Sequence, residues 1–437
     1  PDEYSKYTLV MNYLMQPDTQ DPQGIDKAQF ARDPTQVGII PPTGADPSFQ
    51  SSRTMGVRKS IDNMQAGVVY ERRLTAQDSI RALVYAGDRQ VTQYLGVRFG
   101  AQSAVRSNGA VIDLDRQFAG VDLRWSRTDE IAGMPVNFTV GVNFDQQEEA
   151  RKGFENFVGT TPNVTYGVVG RPRRDETNKV SNFDQYVQGE LGITDKLSAS
   201  AGLRRSSVRF SSRDSYIVTG NPDDSGSVTF SKITPVAGLL YKVTPILHAY
   251  ASVGRGFETP TFAELAYRTS EATGAGINTD LKPNTTTNME LGVKSYVGDF
   301  TRVNAAVFQA KSDNEITAFT NTGGRAIFQN VGRTTRRGLE LSVDSQLPSG
   351  LYALGAFTYL TATFDQAFQA CEVTLCPGTN PRVPVPAGNF IPGIPRYSAY
   401  GEVGWKDLFV EGLGAALEAR RVGRVFVNDR NTESADA

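Results

Sequence analysis

The sequence predicts an all-β fold, an antiparallel up-and-down transmembrane β-barrel with about fifteen strands present. Apolar and polar side chains alternate along most segments of the 437-residue chain, as in strands with one apolar and one hydrated face. The connections between these segments alternate between short and long. The composition agrees, because 42 Gly, 17 Tyr and 23 Phe suit many strands joined by short turns.

The segment that begins at Val136 shows the alternation most clearly. Its apolar face reads Val136, Phe138, Val140, Val142 and Phe144, while the residues between them are Asn, Thr, Gly and Asn. An Arg or Lys on the lipid-facing side at the bilayer midplane costs roughly 2 to 4 kcal/mol, and this face carries neither. One face is therefore predicted to meet hydrocarbon and the other a hydrated interior.

The same pattern predicts the other strands. In chain order, the predicted strands are 7–14, 55–72, 79–95, 110–126, 136–145, 183–193, 197–210, 228–241, 246–254, 285–296, 301–311, 327–344, 351–364, 395–405 and 413–427. Alternation in 301–311 is too weak to predict which face meets lipid.

Short and long connections follow each other in strict alternation along the chain. The short connections are 74–78, 128–133, 194–196, 242–245, 297–299, 345–350 and 406–412, and the long ones are 15–54, 96–109, 146–182, 211–227, 255–284, 312–325 and 365–394. A membrane barrel with short periplasmic turns and long extracellular loops sorts its connections in this way, whereas a soluble sandwich has no reason to.

Composition also restricts the class of protein. It is even from end to end, which predicts one domain over residues 1–437. No run approaches ~18 apolar residues, so a membrane helix is not expected. The 45 basic and 47 acidic residues are too balanced to indicate a nucleic-acid partner. Cys371 and Cys376 suit a small disulfide loop formed in an oxidising compartment, and no metal site is expected from them.

Four stretches carry a family resemblance. They are 248–268 (HAYASVGRGFETPTFAELAYR), 281–294 (LKPNTTTNMELGVK), 328–341 (FQNVGR followed by RGLEL) and 391–396 (IPGIPR). In this order and spacing they resemble strand ends in the barrel of TonB-dependent outer-membrane receptors. The resemblance implies a barrel of about 22 strands closed by an N-terminal plug, of which the plug, about four initial strands and about three final strands are missing here.

The resemblance also implies a function. Such a receptor, in the Gram-negative outer membrane, binds a scarce chelate, with a ferric siderophore as the first choice, and imports it without changing covalent bonds. Energy would come from the TonB–ExbB–ExbD complex through a TonB box in the missing plug. No enzyme activity and no resident cofactor are expected, and the remaining partners are membrane lipid and lipopolysaccharide.

Three alternatives stay open. The loop containing Asp21-Pro-Gln-Gly24 and Asp33-Pro34 resembles a subgroup whose proposed cargo includes pyrroloquinoline quinone. A passive porin, or a receptor for phage or an adhesin, is compatible with the same strands and loops.

Candidate ligand contacts lie in two long loops. Guanidinium groups and aromatic rings attract and orient anionic chelates, and these loops offer Arg151, Phe154, Phe157, Tyr166, Arg171, Arg173, Arg174, Phe257 and Tyr267. The competing interpretation is contact with lipopolysaccharide phosphates, simple solubility or, for Phe257 and Tyr267, a place in the aromatic girdle.

A second set of residues is predicted to face the lumen. The strand phases place His248, Arg124, Arg204, Glu290, Glu340 and Arg420 on the hydrated side. Partly hydrated ion pairs between wall and plug would be individually weak, so they could hold a plug that still moves. Hydrogen bonding within the barrel wall is the alternative role.

Overall fold

The computed structural model describes residues 4–40, 50–268, 276–322, 325–371, 382–407 and 409–436. Those residues form 25 strands and three short helices. The first strands are β1 (Ser5–Gln20), β2 (Ile39–Ile40), β3 (Gln50–Ser51), β4 (Arg58–Arg73), β5 (Asp78–Tyr94), β6 (Val111–Ile131), β7 (Met134–Phe154), β8 (Phe157–Thr160), β9 (Asn163–Tyr166), β10 (Pro172–Gly192), β11 (Leu197–Asp214) and β12 (Gly226–Thr244).

The remaining strands are β13 (Leu247–Glu258), β14 (Asn284–Val297), β15 (Thr301–Asp313), β16 (Ile316–Thr322), β17 (Arg325–Asn330), β18 (Thr334–Gln346), β19 (Leu351–Phe364), β20 (Phe368–Cys371), β21 (Arg382–Val385), β22 (Tyr397–Trp405), β23 (Ala415–Val422), β24 (Val425–Phe426) and β25 (Ser434–Ala435). The helices are α1 (Lys27–Arg32), α2 (Phe99–Ser103) and α3 (Phe262–Leu265). Among the described residues, no helix has the length and apolar character needed to cross a bilayer.

Fifteen strands form one antiparallel sheet in which every strand pairs with its neighbours in chain order, apart from the short hairpins between them. The order is β1-β4-β5-β6-β7-β10-β11-β12-β13-β14-β15-β18-β19-β22-β23. This confirms the predicted all-β, up-and-down barrel architecture and its fifteen strands. The ten remaining strands form five two-stranded hairpins.

Tight turns occur at one end of the sheet. Between β6 and β7 the turn is only Ala132 and Gly133, whose φ angles are 52° and 79°. Two consecutive positive φ values match the right-handed twist of the flanking strands, as in a type I′ turn. The connections at the other end are longer and carry all three helices and the short hairpins.

Several predicted boundaries were wrong, among them those of 15–54, 128–133 and 413–427, and two differ most. The segment 146–182 is not one loop, because β7 continues to Phe154 and β10 starts at Pro172. Residues 146–152 read QQEEARK and have no apolar face, yet their backbone pairing continues without a break. Beyond the bilayer a strand has no lipid-facing side, so the alternation ends before the strand does. The predicted strand 327–344 is likewise divided between β17, in a loop hairpin, and β18.

One face of the sheet forms the apolar band expected to contact lipid. In β13 to β15 this outer face exposes Val253, Met289, Leu291 and Val307 at 43%, 54%, 58% and 54%. The register answers the question left open for 301–311, since Val307 lies opposite Leu291 of β14 and Leu339 of β18. We call the opposite side the inner face.

Tyrosine rings cross glycines on the inner face. Four times, a tyrosine lies directly opposite a glycine of the neighbouring strand, and its ring occupies the space that a Cβ atom would take. The pairs are Tyr85 with Gly120, Tyr186 with Gly141, Tyr250 with Gly292 and Tyr352 with Gly404. A glycine inside a strand has no side chain to pack, and it often marks a site where another group approaches the backbone closely. Here that group is the aromatic ring of the tyrosine.

The buried core lies at the long-connection end. One cluster consists of Phe210, Phe230, Leu265 and Leu281, with Phe257 and Phe262 packed against it. A second is formed by Val331, Phe364, Ala370 and Val385. The folded loops thus have small cores of their own, which fix their positions over the sheet.

Candidate ligand site on the inner face

A cavity of about 550 Å³ opens on the inner face near the long-connection end of β5, β6 and β7. Four basic side chains line it, Lys59, Arg89, Arg116 and Arg151, against a single carboxylate, Glu149. A volume of this size falls in the range of roughly 300 to 1,000 Å³ that is usual for small-molecule sites. The cavity is therefore large enough for a small ligand and is strongly basic.

Strand pairing brings these charges together. Arg89 of β5 lies opposite Arg116 of β6, which lies opposite Glu149 of β7. The Nε atom of Arg116 donates to Glu149 at 3.0 Å, and the Glu149 side chain is only 6% exposed. Within the described part of the chain, Lys59 and Arg89 have no carboxylate at ion-pair distance. Two cations of the cavity are thus unneutralised.

The segment that follows β13 covers the cavity. Thr261 caps helix α3 through a capping box with Glu264, and this fixes the start of the short helix. Phe262, the first helical residue, lines the cavity and meets Phe210 edge to face at 5.0 Å between ring centroids. The cavity therefore combines cationic walls with aromatic surface.

Two of the predicted arginines are held by a buried carboxylate outside the cavity. Glu155, with a side chain 1% exposed, accepts from Arg171 at 2.9 Å and also from Arg173. Burial raises the pKa of Glu155, but the hydrogen bonds from Arg171 and Arg173 outweigh it and leave that pKa below its ordinary value. This triad fixes the entry and exit of the loop carrying β8 and β9.

Arg174 is buried in a neighbouring cluster. It donates to Glu176 at 2.7 Å, and its guanidinium carbon lies 5.6 Å from the ring centroid of Tyr267. Tyr267, itself buried, donates to Asn108 through its hydroxyl. Both predicted ligand contacts are therefore engaged with protein groups.

The predicted aromatic contacts lie in packed surroundings. Phe157 is 2% exposed and packs on Phe99 at 4.5 Å and on Tyr166 at 6.1 Å between centroids. Phe154 is half-buried at the end of β7, and Phe257 packs against the Phe210 cluster. Of the nine predicted ligand contacts, Arg151 alone is among the residues lining the cavity; contact with ligand stays a prediction for all nine.

The second predicted set lies on the inner face. The register puts six residues on the side that carries the tyrosine–glycine contacts: Arg124, Arg204, His248, Glu290, Glu340 and Arg420. Arg204 pairs with Asp184, and Glu290 accepts from Tyr250 at 2.5 Å. Both contacts lie within the wall, and contact with a plug stays a prediction. Cys371 is disulfide-bonded, and Cys376 lies outside the described residues, so their pairing also stays a prediction.

Lys59, Arg89 and Arg116 were missed in the sequence. Each lies within a strand, whereas the sequence analysis placed the ligand contacts in the longest loops. Their signal is the strand phase: on β5, Arg89 has the same parity as Tyr85, which faces inward. Basic residues at inward-facing positions of a strand, close to a long connection, therefore predict a site for an anionic ligand.

Comparison with known proteins agrees with the fold. Residues 6–437 match the family model described as "TonB dependent receptor-like, beta-barrel". The closed form of the ferric-catecholate import receptor Fiu from E. coli K12 aligns with a TM-score of 0.66 and 14% identity, covering 96% of this chain and 62% of that one.

Two further solved structures are similar. Unliganded FecA, a ferric citrate transporter, has a TM-score of 0.72 and 15% identity over 99% of this chain and 57% of its own. BauA, the ferric preacinetobactin receptor from Acinetobacter baumannii, has a TM-score of 0.66 and 15% identity over 100% of this chain and 62% of its own. Identities this low show the fold alone. The chain spans about three fifths of the length of each of these proteins.

The family model covers nearly the whole sequence, and the strand order and sorted turn lengths are those of an outer-membrane barrel. The chain therefore belongs to the TonB-dependent receptors of the outer membrane, within their β-barrel domain.

Proposed function

We propose that the whole protein actively imports an anionic chelate across the outer membrane and holds it at the basic cavity of the inner face. The observation that supports this most directly is the excess of four cations over one carboxylate around that cavity. At an effective dielectric of 20, unit charges 4 Å apart attract by about 4 kcal/mol, so a partly enclosed anion gains far more here than in water.

A ferric siderophore is the ligand class that we propose. Ferric complexes of catecholates and carboxylates are anionic, and the aromatic surface of Phe210 and Phe262 suits catechol rings. The printed names of Fiu, FecA and BauA describe ferric ligands for those proteins, which supports the class without deciding the compound. Transport changes no covalent bond, so no catalytic group is invoked.

Energy coupling is part of the proposal. Uptake would be driven by the TonB–ExbB–ExbD complex acting on a TonB box in the plug of the full receptor. The sheet itself supplies the wall and the extracellular ligand site.

Binding by the purified full receptor tests the proposal. Ferric tris-catecholate, ferric citrate, pyrroloquinoline quinone and a neutral ferric tris-hydroxamate are titrated against the wild type and a Lys59→Gln/Arg89→Gln variant. Because neither side chain is ion-paired, the double variant leaves no buried carboxylate behind. Lys152→Gln/Lys179→Gln is the matched control, since both lysines are exposed on the outer face.

We expect one ferric anion to bind and the cavity variant to bind it roughly 100-fold more weakly, about tenfold for each lost charged contact. The control should bind as the wild type does. Equal binding by the cavity variant, or equally tight binding of the neutral complex, would contradict the proposal. Tighter binding of pyrroloquinoline quinone than of either ferric anion would contradict the siderophore as ligand class, but it would still support the cavity as the site of an anionic ligand.

A further inference from the structure

A second cavity, of about 480 Å³, lies on the inner face at the short-turn end of β13, β14 and β15. Its lining includes His248, Lys294, Arg302 and Asn304 and no carboxylate. The register joins three of these residues, since His248 lies opposite Lys294, and Lys294 lies opposite Asn304. On the other side of His248, Lys242 of β12 lies opposite it. We call Lys242, His248, Lys294 and Asn304 the basic row.

The two lysines of the basic row lack counter-charges. Within the part of the chain that the structure describes, neither Lys242 nor Lys294 has a carboxylate at ion-pair distance, and both are exposed. Arg302 differs, because it pairs with Asp344 at 3.1 Å. Glu290, the carboxylate of β14 on this face, is separated from Lys294 along the strand by roughly 13 Å, at about 3.3 Å per residue. The positive charge of the row is therefore left for a ligand.

Contacts within the wall hold the basic row in place. The ammonium of Lys294 lies 5.2 Å from the ring centroid of Tyr250, and this cation–π contact positions the side chain without cancelling its charge. Asn304 donates through Nδ2 to the hydroxyl of Ser342 at 3.0 Å. His248 has no hydrogen-bond partner among the described residues, so its ring N–H is available to a ligand. The row thus combines a fixed backbone geometry with free donors.

We propose that the basic row is a second position for the transported anion, occupied after the ligand has left the basic cavity near β5 to β7. The inference rests on the proposed import of an anionic chelate. Short turns mark the periplasmic end of an outer-membrane barrel, so an imported ligand passes this level as it leaves. Lys242 and Lys294 would contact the charged groups of the chelate, and His248 would donate a hydrogen bond to it.

A transported ligand must be released as well as captured. Conduction requires binding that is favourable at several positions but weak enough at each for the ligand to leave. The cavity near β5 to β7 has four basic side chains, whereas the basic row has two lysines, both exposed. Because exposed ion pairs contribute little each, the row binds the same anion more weakly. It would help the ligand to leave the stronger site without trapping it.

The plug of the full receptor is the competing partner for the basic row. The size of the cavity favours a small ligand, since 480 Å³ falls in the range of roughly 300 to 1,000 Å³ that is usual for small-molecule sites. The two roles also predict different results when the lysines are replaced. Loss of a plug contact would open the lumen to ions, whereas loss of a ligand position would slow transport and leave the lumen closed.

Histidine-detected NMR of the purified full receptor in detergent tests occupancy, because solute then reaches both ends of the barrel. The signal that disappears in His248→Gln is that of His248. The probes are gallium tris-catecholate, which is a diamagnetic anion, and the neutral gallium tris-hydroxamate. They are added to the wild type, to the row variant Lys242→Gln/Lys294→Gln and to the cavity variant Lys59→Gln/Arg89→Gln.

The matched control for the row variant is Lys196→Gln/Lys406→Gln. It removes two exposed lysines from the same end of the sheet. Lys406 also has the same kind of contact as Lys294, since its ammonium lies 5.5 Å from the ring centroid of Tyr352. The control therefore makes an equal change in charge and removes one cation–π contact, but it leaves the basic row intact.

We expect the anionic probe to shift the His248 signal in the wild type, the control and the cavity variant. In the row variant the half-saturating concentration should rise roughly tenfold, about threefold for each lysine. The neutral probe should shift the signal in none of them. An anionic probe that leaves the signal unmoved, an unaltered response in the row variant, or an equal shift by the neutral probe would overturn the proposal.

The cavity variant separates this inference from the proposed function. Unchanged affinity of that variant for a ferric anion would contradict the cavity as the capture site, whereas the response of His248 reports on the basic row alone. A failure of either proposal is therefore seen without a failure of the other.

Uptake by cells gives a second readout. In the row variant the maximal rate of TonB-driven uptake of labelled ferric tris-catecholate should fall roughly tenfold, because release becomes slower, while the affinity for the ligand at the cell surface stays unchanged. Ion conductance of the same receptor is measured in planar bilayers without an energy source. An unchanged rate of uptake would overturn the proposal. So would a rise in conductance without any response of His248 to the anion, which would assign the lysines to the plug.

Discussion

Replacing Gly404 by alanine tests the tyrosine–glycine contacts of the inner face. A Cβ atom at Gly404 would lie 2.4 Å from the Cζ and hydroxyl atoms of Tyr352, whereas ordinary contact begins near 3.4 Å. The ring must therefore move by about 1 Å, the difference between these two distances. Because Tyr352 donates to Glu402 at 2.8 Å, that movement also strains or breaks a charged hydrogen bond.

Both effects lower the free energy of unfolding. Overpacking of this kind costs roughly 1 to 3 kcal/mol. Glu402 is partly hydrated, so the weakened hydrogen bond adds little to that cost. We expect Gly404→Ala to destabilise the barrel by roughly 1 to 3 kcal/mol.

Gly401 provides the matched control on the same strand, since a Cβ there meets nothing within 4 Å and its φ is not positive. Gly401→Ala should be neutral or stabilise by up to about 1 kcal/mol, because alanine restricts the unfolded chain. The assay is denaturant-induced unfolding of the full receptor in lipid vesicles. Gly404→Ala is measured both in the wild type and in a Tyr352→Ala variant, and in the latter it should not lower the free energy of unfolding. A cost that persists without the ring would refute the steric explanation.

Other predictions follow from the loop triad and the lipid-facing band. Glu155→Gln should loosen its loop by roughly 3 to 5 kcal/mol, because Arg173 would stay buried without a counter-charge; hydrogen exchange should show this, and an equal effect of Glu148→Gln, an exposed pair, would contradict it. Since the pKa of Glu155 is lowered in the folded loop, the stability contributed by its ionised carboxylate is present above the unfolded pKa of about 4.3 and is lost as the pH falls through the lower folded value; protection of the loop amides, corrected for the intrinsic exchange rate at each pH, that falls only on raising the pH would reverse the sign. Val142→Arg, on the lipid face, should cost roughly 2 to 4 kcal/mol of barrel stability, whereas Asn143→Arg on the inner face should cost much less, and equal costs would mean that the two faces are misassigned.

The sequence predicts the membrane-level part of each strand, because there lipid and water impose opposite requirements on successive side chains. It does not predict where strands end. Residues 146–152 of β7 have no apolar face, and backbone hydrogen bonds together with the ion pairs of Glu148 and Glu149 hold them in the sheet. The lipid-facing side of β15 was also beyond sequence reasoning, because Ala305, Ala306 and Ala310 put small apolar residues on both faces. Pairing with Leu291 decides it.

The cavity shows a similar limit. Arg151 could be proposed from its loop-like surroundings, but Arg89 and Arg116 lie on different strands and meet only through the register. Conversely, Arg171, Arg173 and Arg174 attract attention as a basic run, although Glu155 and Glu176 lie close enough in the chain to neutralise them. Charge in a sequence becomes a ligand site only where folding leaves it without a partner.

Uptake of labelled ferric chelate by cells that carry the full receptor tests the central claim most directly. We predict uptake that falls to background when TonB is removed, and equally when Lys59 and Arg89 are both replaced by glutamine, while Lys152→Gln/Lys179→Gln leaves it unchanged. Uptake that continues without TonB, or that is indifferent to the loss of both cavity cations, would contradict an energised receptor that captures anionic ligands on its inner face.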